Sequence, residues 1–135
     1  MTEVGFLVTE NQREEAFAVG QEKFNDEFFF EAHEKWEDLW KKESGTNKSF
    51  LQGLIQFAGF FVNFKKKNFS GALSLLTSSQ KNIFNPNSPK AATYRKVDLE
   101  PIAAAIDYNL GILANPDEEN LDEMDFKALL IPKIF

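Results

Sequence analysis

Apolar residues along this chain recur at helical intervals, and nowhere do they alternate as a strand requires. Residues 12–24, QREEAFAVGQEKF, place Ala16, Phe17, Val19 and Phe24 on one side and predict a first helix. Asn25 and Asp26 are cap residues before an apolar run, so a second helix is expected from about Glu27 to Lys42, closed at Ser44-Gly45 by a left-handed glycine. Asn47 or Ser49 can open a third helix, and from Phe50 to Phe64, FLQGLIQFAGFFVNF, there is no charged residue, so this stretch must be largely buried. After a short connection at Asn68, Leu73, Leu76, Ile83 and Phe84 mark a fourth helix, which ends at the breakers Asn85-Pro86 and Ser88-Pro89. The segment NPNSPKAATYRK reads as the longest loop. Asp98 then caps a fifth helix that tolerates Pro101 in its first turn and ends between Gly111 and Asn115. The final stretch begins acidic and ends apolar, and is expected to pack back on the body with a short helix. No internal repeat or low-complexity tract is visible. The fold class is all-α, a single domain over residues 1–135 formed by a bundle of about five helices with short connections.

Placed on a wheel of about 100° per residue, the second helix gathers Phe28, Phe29, Ala32, Trp36, Leu39 and Trp40 into a buried stripe. Glu27, Glu31, Lys35, Asp38 and Lys42 face water, while His33 and Glu37 lie at the border with Glu34 further round. On the third helix Gln52, Gln56, Gly59 and Asn63 form a narrow strip that is polar but uncharged. A plain solvent face on an acidic protein would carry Lys or Glu. Glutamines in line therefore suggest half-buried amides in need of hydrogen-bond partners, with His33, Glu34 and Glu37 as candidates. Gly53 and Gly59 each cost about 1 kcal/mol against alanine inside a helix, and so are expected to admit a close neighbour.

Composition narrows the chemistry. The 135 residues suffice for one core, and the absence of cysteine excludes disulfides, thiolate metal sites and a cysteine nucleophile. A reducing compartment fits best. With no basic leader and no apolar run near the roughly 20 residues of a membrane span, a cytoplasmic protein without a membrane partner is expected. The net charge of −6 disfavours nucleic acid as a partner, and the basic run Lys65-Lys66-Lys67 falls where it complements a helix C-terminus. Fifteen phenylalanines imply either a very aromatic core or rings that line a groove or a subunit contact, and a homodimer is one consistent assembly.

His33 is the only histidine of the chain. HEKWE, His33 to Glu37, begins like a zinc-binding HExxH helix but has glutamate where the second histidine belongs, which disfavours a metalloprotease. His33, Glu34 and Glu37 remain the only weak candidates for a metal site, and the helical di-iron pattern requires a second histidine. No nucleophile elbow, Walker loop or dinucleotide fingerprint occurs, and no cofactor is specified. Two functions fit the cluster. In the first, it is a hydrogen-bond network that fixes helix packing in a protein that acts by binding a partner or itself through exposed aromatic surface. In the other, it is a pocket for a small molecule or ion, with His33, Glu34 and Glu37 as acid–base candidates and Trp36, Trp40, Gln52 and Gln56 as ligand contacts.

Three motifs in order, FNDEFFFEAHEKWEDLW, FLQGLIQFAGFF and KKKNFSGALSLL, resemble the bacterial and archaeal domain-of-unknown-function family numbered 309 over about residues 20–84. Glu31, His33, Glu34, Glu37 and Trp40 match its histidine helix, and Gln52, Gly53, Gln56, Asn68, Gly71 and Ala72 match the motifs that follow. Two departures stand out. Asp26-Glu27 replaces sequence that often contains glycine, and Lys67 replaces the glycine usual before Asn68. The resemblance implies a small helical bundle and no established activity.

Overall fold

A helix with apolar side chains on nearly every side persists in water only when neighbours cover it. The computed structural model describes residues 9–84, 97–114 and 126–135. It contains α1 (Glu10–Asn25), α2 (Phe29–Trp40), α3 (Gly45–Lys65), α4 (Phe69–Ile83) and α5 (Glu100–Ala114), then a 3-10 turn over Phe126–Ala128 and an extended tail to Phe135. The fold is an all-α bundle, with no strand among the described residues. The charge-free helix α3 packs most extensively against α4 and next against α2, while α1 packs on α2 and α5 on α4. No helix among the described residues is long and apolar enough to cross a membrane.

The core is aromatic. Phe24 touches Phe29, Trp36, Phe57 and Phe61 with ring centroids 5.1–6.0 Å apart, and Phe17, Phe24, Trp36, Phe57, Phe60 and Phe61 are fully buried. Each such ring contributes about 1.5–3 kcal/mol by leaving water. Trp36 is accommodated because Gly20 of α1 lacks a side chain: a Cβ there would sit 2.1 Å from the indole Nε1. That N–H donates to the Phe17 carbonyl at 3.1 Å, so the buried polar atom is satisfied. Likewise Gly53 lets α4 approach α3, where a Cβ would meet Ile83 Cγ1 at 2.5 Å and the Ile83 backbone nitrogen at 3.0 Å. At this crossing the buried Ser79 hydroxyl donates to the Gly53 carbonyl at 2.8 Å. At the open end of the bundle Arg13 of α1 pairs with the buried Glu43 carboxylate of the α2–α3 connection, 3.1 Å away.

Helix limits depart from the sequence expectation where local chemistry had two uses. α1 starts at Glu10, before the expected residue 12, because Thr9 and Gln12 form a reciprocal capping box. Asp26 closes α1 and does not open α2, which begins at Phe29 without a side-chain cap. Phe28, expected in the buried stripe, therefore sits in the connection and is 52% exposed. Gly45 is left-handed as expected, with φ 67°, but it opens α3 after Ser44 and so starts that helix before Asn47 and Ser49. Asp98 Oδ1 accepts from the Glu100 backbone N–H at 3.1 Å, which places the start of α5 near its predicted cap. The predicted longest loop, residues 85–96, lies outside the described residues.

Although the sequence shows no repeat, the backbone does: a helical hairpin recurs with a shift of 40 residues, α1 ending at 25 and α3 at 65, α2 starting at 29 and α4 at 69. Both turns use the same pair of backbone bonds. Glu27 N–H donates to Phe24 O and Phe28 N–H to Lys23 O; Lys67 N–H donates to Phe64 O and Asn68 N–H to Asn63 O. This is the Schellman closure, which needs a left-handed residue. Glu27 and Lys67 occupy those positions at φ 65° and 60°. The rings that flank each turn also repeat: Phe24 and Phe29 meet edge-on at 5.1 Å, as do Phe64 and Phe69. Asn68 then caps α4 through the Gly71 N–H at 3.0 Å.

The tail seals the remaining side. Asn109 of α5, fully buried, donates to Leu130 O and accepts from Leu130 N–H at 2.9 and 2.8 Å. Asn25 of α1 does the same to Ile134 at 3.0 and 2.7 Å, and Asp98 N–H donates to Phe135 O at 2.7 Å. Each asparagine thus satisfies both backbone groups of one tail residue, while Leu129, Pro132 and Ile134 are buried.

A side chain in the left-handed region costs about 1 kcal/mol that glycine avoids. Lys67→Gly and Glu27→Gly should therefore each raise stability by about 0.5–1 kcal/mol, seen as a higher urea midpoint. Gly53→Ala should lower it by about 1–3 kcal/mol, because the α4 backbone cannot yield as a flexible side chain could.

Candidate functional site

Above the polar strip of α3, the bundle leaves a groove of about 280 Å³. Its floor is Gln52, Ile55, Gln56, Gly59, Val62 and Asn63 of α3; α2 supplies Phe30 and His33 as one wall and α4 supplies Leu75 as the other. All four members of the strip face this space because they recur every three or four residues on one side of a straight helix whose other sides are buried. Gly59 keeps the floor low, since a Cβ there would lie 3.2 Å from Leu75 Cδ1.

His33 follows Phe30 by three residues, so the two rings share one side of α2, nearly parallel at 17° and offset, with centroids 6.4 Å apart. Its Nδ1 is buried and makes no hydrogen bond among the described residues. Glu37, one turn on, brings Oε2 to 3.7 Å, an ion-pair distance too long for a hydrogen bond. The amides are used unequally. Gln56 Oε1 accepts from Asn82 Nδ2 of α4 at 2.8 Å, and its own nitrogen is left with no partner among the described residues. Gln52, half-buried, makes no hydrogen bond among them. Asn63 is committed, donating to Gly59 O and accepting from Asn68 Nδ2.

The structure therefore brings His33, Gln52 and Gln56 to one groove, but no hydrogen bond joins the histidine to either glutamine. Glu34 is exposed and lines no part of the groove, and Glu37 stands behind His33. Trp36 is a core residue between α1 and α2, turned inward by its bond to Phe17, and Trp40 is half-buried beneath Lys48, whose Nζ lies 4.2 Å from the ring centroid. Neither tryptophan lines the groove. Among the described residues no three or more of His, Asp and Glu converge as a metal-binding set. Two contributors escaped the sequence patterns, Phe30 and Asn82. The signal for Phe30 was an aromatic residue outside the buried stripe of its helix; it is 54% exposed. Asn82 offered none, because its role depends on how α4 lies against α3.

This division of labour separates the residues by their effect on stability. His33→Ala should change the unfolding free energy by no more than about 0.5 kcal/mol, as expected of a half-exposed side chain without hydrogen bonds. Asn82→Ala, which removes the bond between α3 and α4, should cost about 1 kcal/mol in the same urea titration.

No curated protein and no solved structure matches the chain. Residues 17–75, the stretch that carries the histidine helix and the glutamine strip, match the family model described as Domain of unknown function (DUF309).

Proposed function

We propose that the protein is a small-molecule binding module whose site is the groove between α2, α3 and α4. The observation that carries this is the hydrogen-bonding capacity that Gln52 and Gln56 leave unspent among the described residues, beside His33 and around one open space. A network whose only task was to hold helices together would satisfy its members mutually. Here the bonds that tie α3 to α4 are those of Ser79 and Asn82. Among the described residues His33 is the only titratable one lining the groove, with Glu37 behind it. Acid–base chemistry would need a second proton-handling group brought by the ligand or by Glu37, so binding is the function the site supports best. The lack of cysteine suits work in a reducing compartment.

The exposed rings favour a second reading. Phe28 and Phe30 are more than half exposed and border an adjoining groove of about 270 Å³ that also includes Lys65 and Lys66. Such rings suit association with another protein or a second copy of the chain. If they mediate self-association, Phe30→Ser will convert a dimer to a monomer in sedimentation equilibrium while leaving the helical circular-dichroism spectrum unchanged.

The binding function is tested by screening small fragments against the full chain by amide chemical-shift mapping. Shifts confined to residues 30–33, 52–63 and 75 are expected, and they should weaken in Gly59→Ala, where the added methyl narrows the floor. Scattered shifts, or none, would refute it.

A further inference from the structure

We infer that the groove takes a neutral, flat heterocycle with an amide-type edge, a cyclic lactam or a ring of the pyrimidine class. The inference rests on the groove being a binding site, and it concerns only the ligand's chemistry.

Charge is the first selector. Among the described residues no carboxylate, ammonium or guanidinium group lines this space, and His33 is the one group there that could carry a charge, so an ionic ligand would surrender its hydration for little counter-charge. Shape is the second. The near-parallel rings of Phe30 and His33 present flat faces on one side, and the aliphatic Leu75 stands opposite. A planar ring suits these walls, and a space of about 280 Å³ has room for one or two fused rings. Hydrogen bonding is the third. The Gln56 carbonyl already accepts from Asn82, so the groups of that side chain left without any partner among the described residues are its N–H donors. A ligand acceptor, a ring carbonyl or ring nitrogen, satisfies them. Gln52, one turn away and without a hydrogen bond among the described residues, can turn either its oxygen or its nitrogen to the neighbouring position. A donor beside an acceptor on a flat neutral ring is the amide edge of a lactam.

The experiment titrates the intact chain with 2-pyridone and uracil, with benzoate and inorganic phosphate, with tetramethylammonium, and with toluene, each followed by amide chemical shifts. The two lactams should bind with Kd on the order of 1 mM, as suits ligands of so few atoms. They should bind about tenfold more weakly to Gln52→Met, a variant that breaks no hydrogen bond among the described residues and should melt as the parent does. Toluene binding should be unchanged by that substitution. If benzoate, phosphate or tetramethylammonium binds at residues 30–33 and 52–63 more tightly than the lactams, the ligand class is wrong and the groove stands as a site. Lactam binding that Gln52→Met leaves intact likewise overturns the class. If no probe, toluene included, shifts those residues, the binding site itself falls.

Discussion

The need to surround one charge-free helix organises this molecule. α3 carries phenylalanine, leucine, isoleucine or valine in most directions, so each further element is placed where it covers one of its sides. α2 and α4 take the two flanks, and the aromatic residues of α1 reach the Phe57 and Phe61 rings between them. The one direction that stays open is the one in which α3 presents amides and a glycine. The groove and the core therefore have a common cause: the strip can remain uncovered because its side chains tolerate water, while every other direction cannot.

Two glycines and two left-handed residues set how closely the helices pack. Gly20 and Gly53 lie where a tryptophan and the α4 backbone come nearest, once in each hairpin. Glu27 and Lys67 carry the backbone through the sharp turns, where β-carbons are disfavoured. The turn geometry holds without glycine because the ring pair flanking each turn and the paired backbone hydrogen bonds both favour it.

The existence of the helices was legible in the sequence because burial leaves a helical period and α3 leaves an unmistakable gap in charge. The turn at residues 25–28 was not, because Asn and Asp serve equally at either end of a helix; here Asp26 closes one, and Asn25 is drawn away to the tail backbone. The polar strip of α3 could be read from spacing alone, as could the border position of His33. What spacing cannot supply is pairing between elements: the partner of Gln56 proved to be Asn82, in the fourth helix. The two tryptophans make the same point. They are four residues apart on one stripe, yet Trp36 fills the hollow over Gly20 and Trp40 sits at the edge beneath a lysine.

The asparagine clamps have a consequence for how the protein comes into being. Asn25 and Ile134 are 109 residues apart, and both hydrogen bonds between them must wait until Ile134 has been synthesised. A nascent chain emerging from the ribosome can assemble the paired hairpins early, since their contacts are local. Its flank over Phe29, Phe61 and Phe64 is completed only when Phe126 arrives. Until then that greasy flank is exposed to whatever else is in the cell, and the interval before closure is the period in which a chaperone would engage it.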